Sequence, residues 1–134
     1  MENILLKNIT KFLILIVFPI VLLVQLSGTS SVGGGFPAGC ILGSILIFLL
    51  YRNVNLQKIK YLIFFNILGI LIYLICYLLP LLLNYNLMDY NAFNILLQIF
   101  NLPRIGEKIG IIFAEIGVCL VVANSFSIIY FHLK

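Results

Sequence analysis

The chain has 134 residues, of which 63% are hydrophobic and 9% charged, with a mean hydropathy of +1.23 and a net charge of +4. A soluble domain carries about a quarter charged residues, so this chain has too little polar surface to cover a core in water, and lipid is the solvent that suits it. Nor does the positive charge mark a nucleic-acid partner, because most of the basic residues flank apolar runs and form no stripe with interleaved aromatics.

In chain order, the pattern predicts one all-α membrane domain of four transmembrane helices, at about 4–26, 33–51, 61–83 and 109–131. A short interfacial helix is expected in the 84–108 connection. The first apolar run, 12–26, reaches the ~20 residues needed to cross a bilayer only if its helix extends back over 4–10. Lys7 and Lys11 then snorkel outward. Two lysines, an apolar run and small residues at 27–31 also resemble a secretory signal, but the segment that follows reads as a structural turn rather than a cleavage site.

That segment runs Val32-Gly33-Gly34-Gly35-Phe36-Pro37-Ala38-Gly39, with Gly43 and Ser44 after it. Glycine inside a helix costs about 1 kcal/mol relative to alanine, so three in a row are expected where backbone turns sharply or approaches another chain closely. Two readings follow: a tight turn that lets the first two spans pack, or a polar pocket of exposed amides lining a water or ion path. The second apolar run, 36–51, covers only about 24 Å, so its helix is expected to begin near Gly33 to Gly35.

The third run, 61–83, is long enough to cross with tilt. Within the following connection, Ala92, Phe93, Ile95, Leu96, Leu97, Ile99 and Phe100 form an apolar piece too short to span, expected to lie at the interface or dock on a partner. Pro103 separates it from the last span. Gly106, Gly110 and Ala114 recur at four-residue spacing, with Gly117 on the same face, which lets another helix come close. That helix is either one of the chain's own or one from another subunit.

Glu115 is the candidate functional residue, because it lies well inside the last span. A central charge costs about 2.5–3.5 kcal/mol on insertion scales, which the surrounding Ile, Leu, Val and Phe offset. Intramembrane carboxylates usually face a protein interior or an ion path. The competing reading is a hydrogen-bonded Glu holding helices in register with Asn66, Asn124 or Gln25. Glu107, beside Arg104 and Lys108, reads as part of a surface ion pair, and His132 as an interface residue. Cys40, Cys76 and Cys119 all lie in apolar runs and read as small packing residues rather than disulfide or metal ligands.

Charge also orients the chain. With four spans, Lys7, Lys11, Arg52, Lys58, Lys60 and Lys134 fall on one side and only Arg104 and Lys108 on the other, which places both termini in the cytoplasm. The sequence holds no Walker loop, HExxH, Cys-x-x-Cys pair or nucleophile–base constellation. Neither an enzyme nor a cofactor or metal site is expected.

The residues also resemble a family. A first span with Phe18-Pro19, then Gly33-Gly34-Gly35-Phe36, then Ala114-Glu115-Ile116-Gly117-Val118 in the last span, is similar to the B-type small subunit of Mrp-type (Mnh) multisubunit sodium/proton antiporters. The likeness covers essentially the whole chain, although its specific part is short. The family's Gly-His and Pro ahead of the glycine run are replaced here by Gly28-Thr29 and Val32, and Pro37 follows Phe36. The resemblance implies a small subunit of a bacterial inner-membrane complex that exchanges Na+ for H+, with other antiporter subunits and the lipid bilayer as partners. The alternative is a structural subunit in a complex I-like or hydrogenase complex, with no ion path of its own. A small drug/proton exporter also uses four spans and one Glu, but its Glu lies in the first span, where this chain has no acid.

Overall fold

The computed structural model describes residues 2–29, 33–50, 56–98 and 105–133. Among these the chain is helical and contains no strand: α1 Glu2–Ser27, α2 Gly35–Leu50, α3 Leu56–Leu82, α4 Ala92–Gln98 and α5 Gly106–Leu133. α1 extends back through the 4–10 segment, and α2 starts inside the expected glycine window. α5 starts earlier than 109, which draws Gly106 and Glu107 into its first turn.

Local chemistry sets the connection between α3 and α5. At the end of α3, Asn84 takes a left-handed conformation (φ 62°). The Tyr85 N–H then donates to Pro80 O at 3.0 Å and the Asn84 N–H to Leu81 O at 3.2 Å, which closes the helix as a Schellman cap with Asn in the usual Gly place. Five residues on, Asp89 Oδ1 accepts the Asn91 N–H at 3.1 Å and its Nδ2 at 3.0 Å. This Asx turn leads into α4. α4 docks on α5 of the same chain, where Asn94 Oδ1 accepts the Glu107 N–H at 3.3 Å and so gives an otherwise orphaned amide a partner. Ile99, Phe100 and Pro103 lie outside the described residues.

α5 is the central helix. α2 and α3 pack along two of its sides and α4 lies over its first turns, while α1 leans mainly on α2. The backbones of α2 and α3 do not approach each other closely among the described residues. The approaches are close because glycines sit at the crossings. A Cβ on Gly69 would stand 2.9 Å from Gly117 O, and one on Gly117 would stand 3.0 Å from Gly69 O. On the other side, a Cβ on Gly39 would meet Val122 Cβ at 2.8 Å and Cys119 O at 2.9 Å, and one on Gly43 would meet Ala123 O at 3.2 Å. Gly35, Gly39 and Gly43 thus form a small-residue ridge at four-residue spacing on α2.

The core between α1, α2 and α5 is small: Val21, Ala38 and Cys119, flanked by Val17, Val24, Ile41 and Leu42. Large apolar side chains instead point outward, including Leu15, Phe12, Tyr61 and Leu82. By length and composition two helices can cross a membrane, Ile59–Leu82 and Gly106–Leu133, whereas Lys11–Ser27 and Gly35–Leu49 are apolar but shorter. Polar groups in the helices are largely satisfied at home. Ser44 Oγ donates to Cys40 O, Ser127 Oγ to Ala123 O and Asn124 Nδ2 to Leu120 O, which lets each group sit in an apolar setting. Asn66 Nδ2 donates to Ser125 Oγ at 3.0 Å and ties α3 to α5.

Because Gly69 and Gly117 set the α3–α5 distance, Gly69→Val is expected to push the helices apart and cost about 1–3 kcal/mol. Equilibrium unfolding of the full chain in detergent would show this, and unchanged stability would rule out the close crossing.

Candidate functional site: a carboxylate beneath a glycine turn

The site is built from the α1–α2 turn and the middle of α5. α1 ends at Ser27, and the chain returns so that the Gly34 N–H donates to Val24 O at 2.9 Å. Ser27 Oγ donates to the same carbonyl at 2.9 Å, so both lone pairs of Val24 O are used. Gly34 has φ +114°, a conformation that side chains rarely adopt. Gly33 sits tightly against the end of α1, since a Cβ there would meet the Ser27 hydroxyl and would stand 2.7 Å from Val24 O.

This turn lies directly on Glu115. A Cβ on Gly28 would collide with the Glu115 carboxylate, and one on Gly34 would come within 3.2 Å of its Oε1. A Cβ on Gly35 would strike the backbone carbonyl of Glu115. The glycine run therefore has three separate tasks: Gly33 seats on α1, Gly34 supplies the turn, and Gly35 lets the start of α2 touch α5. One helical turn further on, Gly39 continues that contact. Phe36 takes no part, because its side chain is 61% exposed.

Glu115 Oε2 is buried and has no hydrogen-bond partner. The neighbouring layer explains what stands near it. Val21 of α1 and Cys119 of α5 share the small core. Gln25 is one turn beyond Val21 toward the glycine turn, and Glu115 is one turn from Cys119 in the same direction, so the two side chains occupy one level. Gln25 is 7% exposed, and neither its Nε2 nor its Oε1 has a partner. Of the three residues considered for holding Glu115, only Gln25 is at its level. Asn124 is about 13 Å further along α5, and Ser125, which holds Asn66, about 15 Å.

The remaining candidates have other surroundings. Gly106 and Gly110 receive α4, through the backbone at Phe93 and Asn94 and the rings of Phe93 and Tyr90. Gly117 faces Gly69 and Tyr73 of α3, and Ala114 is buried. The four small residues therefore do not serve one partner helix. Tyr90, in the α3–α4 connection, packs against Gly110 and Phe93. Burial pushes its phenol up, with smaller contributions in the same direction from Tyr73, Cys76 and Glu115. Glu107 and Lys108 are exposed on the first turn of α5, while Arg104 lies outside the described residues. The sequence pattern does not single out Gly69, a lone glycine inside an apolar run, and Gly28 stands out only as the position matching the family's Gly-His; their contacts with Gly117 and Glu115 come from the fold.

Among the described residues the chain is all-helical and strongly apolar, with two helices long and apolar enough to cross a membrane and a carboxylate folded under a glycine turn. A family model described as a domain related to the MnhB subunit of Na+/H+ antiporters matches residues 5–128. The chain belongs to this MnhB-related family, as the resemblance of its glycine run and last span implied. No individual curated protein and no solved structure matches it.

A double-mutant cycle tests the contact beneath the turn. Gly28→Ala is expected to lose about 1–3 kcal/mol by overpacking on the carboxylate, a loss that Glu115→Ala largely reverses. Gly34→Ala loses about 1–2 kcal/mol through its backbone conformation, and Glu115→Ala leaves most of that loss in place. Equal rescue of both, or of neither, would contradict the geometry.

Proposed function

We propose that the chain is a multi-pass subunit of a bacterial inner-membrane complex that exchanges Na+ for H+, and that Glu115 lies in its proton or sodium path. All four long helices cross the bilayer in this reading, with both termini in the cytoplasm. α1 is about 39 Å long over Glu2–Ser27, enough for the ~30 Å hydrocarbon core, with Lys11 snorkelling. α2 is about 24 Å long over Gly35–Leu50, so its ends are met by a locally thinner bilayer or by neighbouring subunits.

The observation that carries this reading is the buried, unpartnered Glu115 Oε2 at the level of an equally unpartnered Gln25. Each unsatisfied buried polar group costs about 1–3 kcal/mol. A chain selected here for packing alone would be more stable with two leucines, so the polar pair argues for a use beyond packing. The ends of α1 and α2 both meet at this level, as in transporters where interrupted helices surround the ion. The isolated chain carries no catalysis and no cofactor in this reading.

The glycine crossings at Gly39, Gly43, Gly69 and Gly117 favour a second reading. There the subunit is a rigid assembly element of a complex I-like or hydrogenase-type complex, with no ion path of its own. One series separates the two. In vesicles carrying the whole complex, Glu115→Gln is expected to abolish Na+-dependent proton exchange while the complex still assembles on native gels. Full exchange by that variant, with assembly lost only in Gly34→Val or Gly39→Leu, would establish the structural reading instead.

A further inference from the structure

Away from Glu115, a lateral groove of about 480 Å³ lies between α2 and α3, open because both helices pack on α5 and not on each other. Leu42 and Leu46 form one wall, Tyr61 and Phe65 the other, and Leu120 and Ala123 the floor. Asn124 also borders the floor, but its amide donates to Leu120 O at 2.7 Å. The groove therefore offers an apolar trough.

Its size selects among occupants. Half a transmembrane helix, about 10 Å wide and 15 Å long, displaces roughly 1,200 Å³, more than the groove holds. A slender apolar chain fits. Charge selects further, because the groove lies in the half of the molecule where α3 begins. In sequence, 51–60 holds Arg52, Lys58 and Lys60 and no acid. Lys60 is exposed and immediately precedes the wall residue Tyr61. Two of the chain's acids, Asp89 and Glu107, are at the opposite end of the helices.

We propose that this groove binds one acyl chain of an anionic phospholipid, whose phosphate rests at Lys60. The trough alone would not discriminate among lipids, since one hydrocarbon tail resembles another and no hydrophobic force separates protein from lipid here. Selectivity comes from the head group: a basic residue near the surface favours an anionic lipid by about fivefold. The site is independent of the ion path, and loss of either leaves the other standing.

The test uses the full chain, purified in mild detergent and exchanged into vesicles of phosphatidylglycerol and phosphatidylcholine in equal amounts. Retained lipid is then counted by native mass spectrometry. One phosphatidylglycerol per chain is expected to be held in preference to phosphatidylcholine. Leu46→Trp, which fills the trough, is expected to abolish retention, whereas Leu49→Trp, off the groove, leaves it unchanged. Lys60→Gln is expected to remove about fivefold of the preference without disturbing the fold, as checked by circular dichroism. Equal retention of both lipids by the native chain, or retention unaffected by Leu46→Trp, would overturn the proposal. So would a photo-reactive group at position 46 of the intact complex that captures a polypeptide instead of phospholipid.

Discussion

The distance at which other backbones can approach α5 governs this structure. Between apolar helices in lipid there is little hydrophobic force to draw them together, so contact rests on dispersion and weak polar contacts, which fall steeply with separation. Gly69 against Gly117, and Gly35, Gly39 and Gly43 along the other side, bring α3 and α2 nearly to backbone contact with α5. The core side chains are correspondingly small, while Leu, Ile and Phe form the outer surface. This inverts the arrangement of a water-soluble bundle, in which large apolar residues fill the centre.

The same closeness creates the polar layer. Since Gly35 rests on the Glu115 carbonyl, the turn at Gly28 and Gly34 is held over the Glu115 side chain. A larger residue at Gly28 or Gly35 would lift the turn and open the carboxylate to its surroundings. The burial of Glu115 Oε2 and the packing of α2 on α5 are thus one geometric fact, and they couple any ion chemistry at Glu115 to the seating of α2. It also leaves α2 and α3 apart, with the lateral groove as the consequence.

Much of this is legible in the residues themselves. The glycine run, the small-residue face of the last helix and the acid within its apolar run each stand out, because each breaks the pattern of an otherwise uniform apolar chain. What cannot be read is which of them meet. Asn66 and Asn124 are as plausible as Gln25 for holding Glu115, since all are polar residues in apolar runs. Rise along α5 separates them, and it becomes decisive only once the antiparallel alignment of α1 and α5 is known. Phe36 groups with the glycines by adjacency, yet helical geometry turns its ring outward.

The all-helical class and the family could be read from the residues alone, because composition and a few short motifs depend on residues close together in the chain. The Schellman cap at Asn84 and the Asx turn at Asp89 are local in the same way. That Gly28 and Gly34 enclose Glu115, that α4 docks on its own α5, and that α2 and α3 leave a groove between them emerges only in the folded chain. These are contacts across dozens of residues, and in a chain so uniformly apolar many helix pairings satisfy the pattern equally well. Steric fit at the glycines chooses among them.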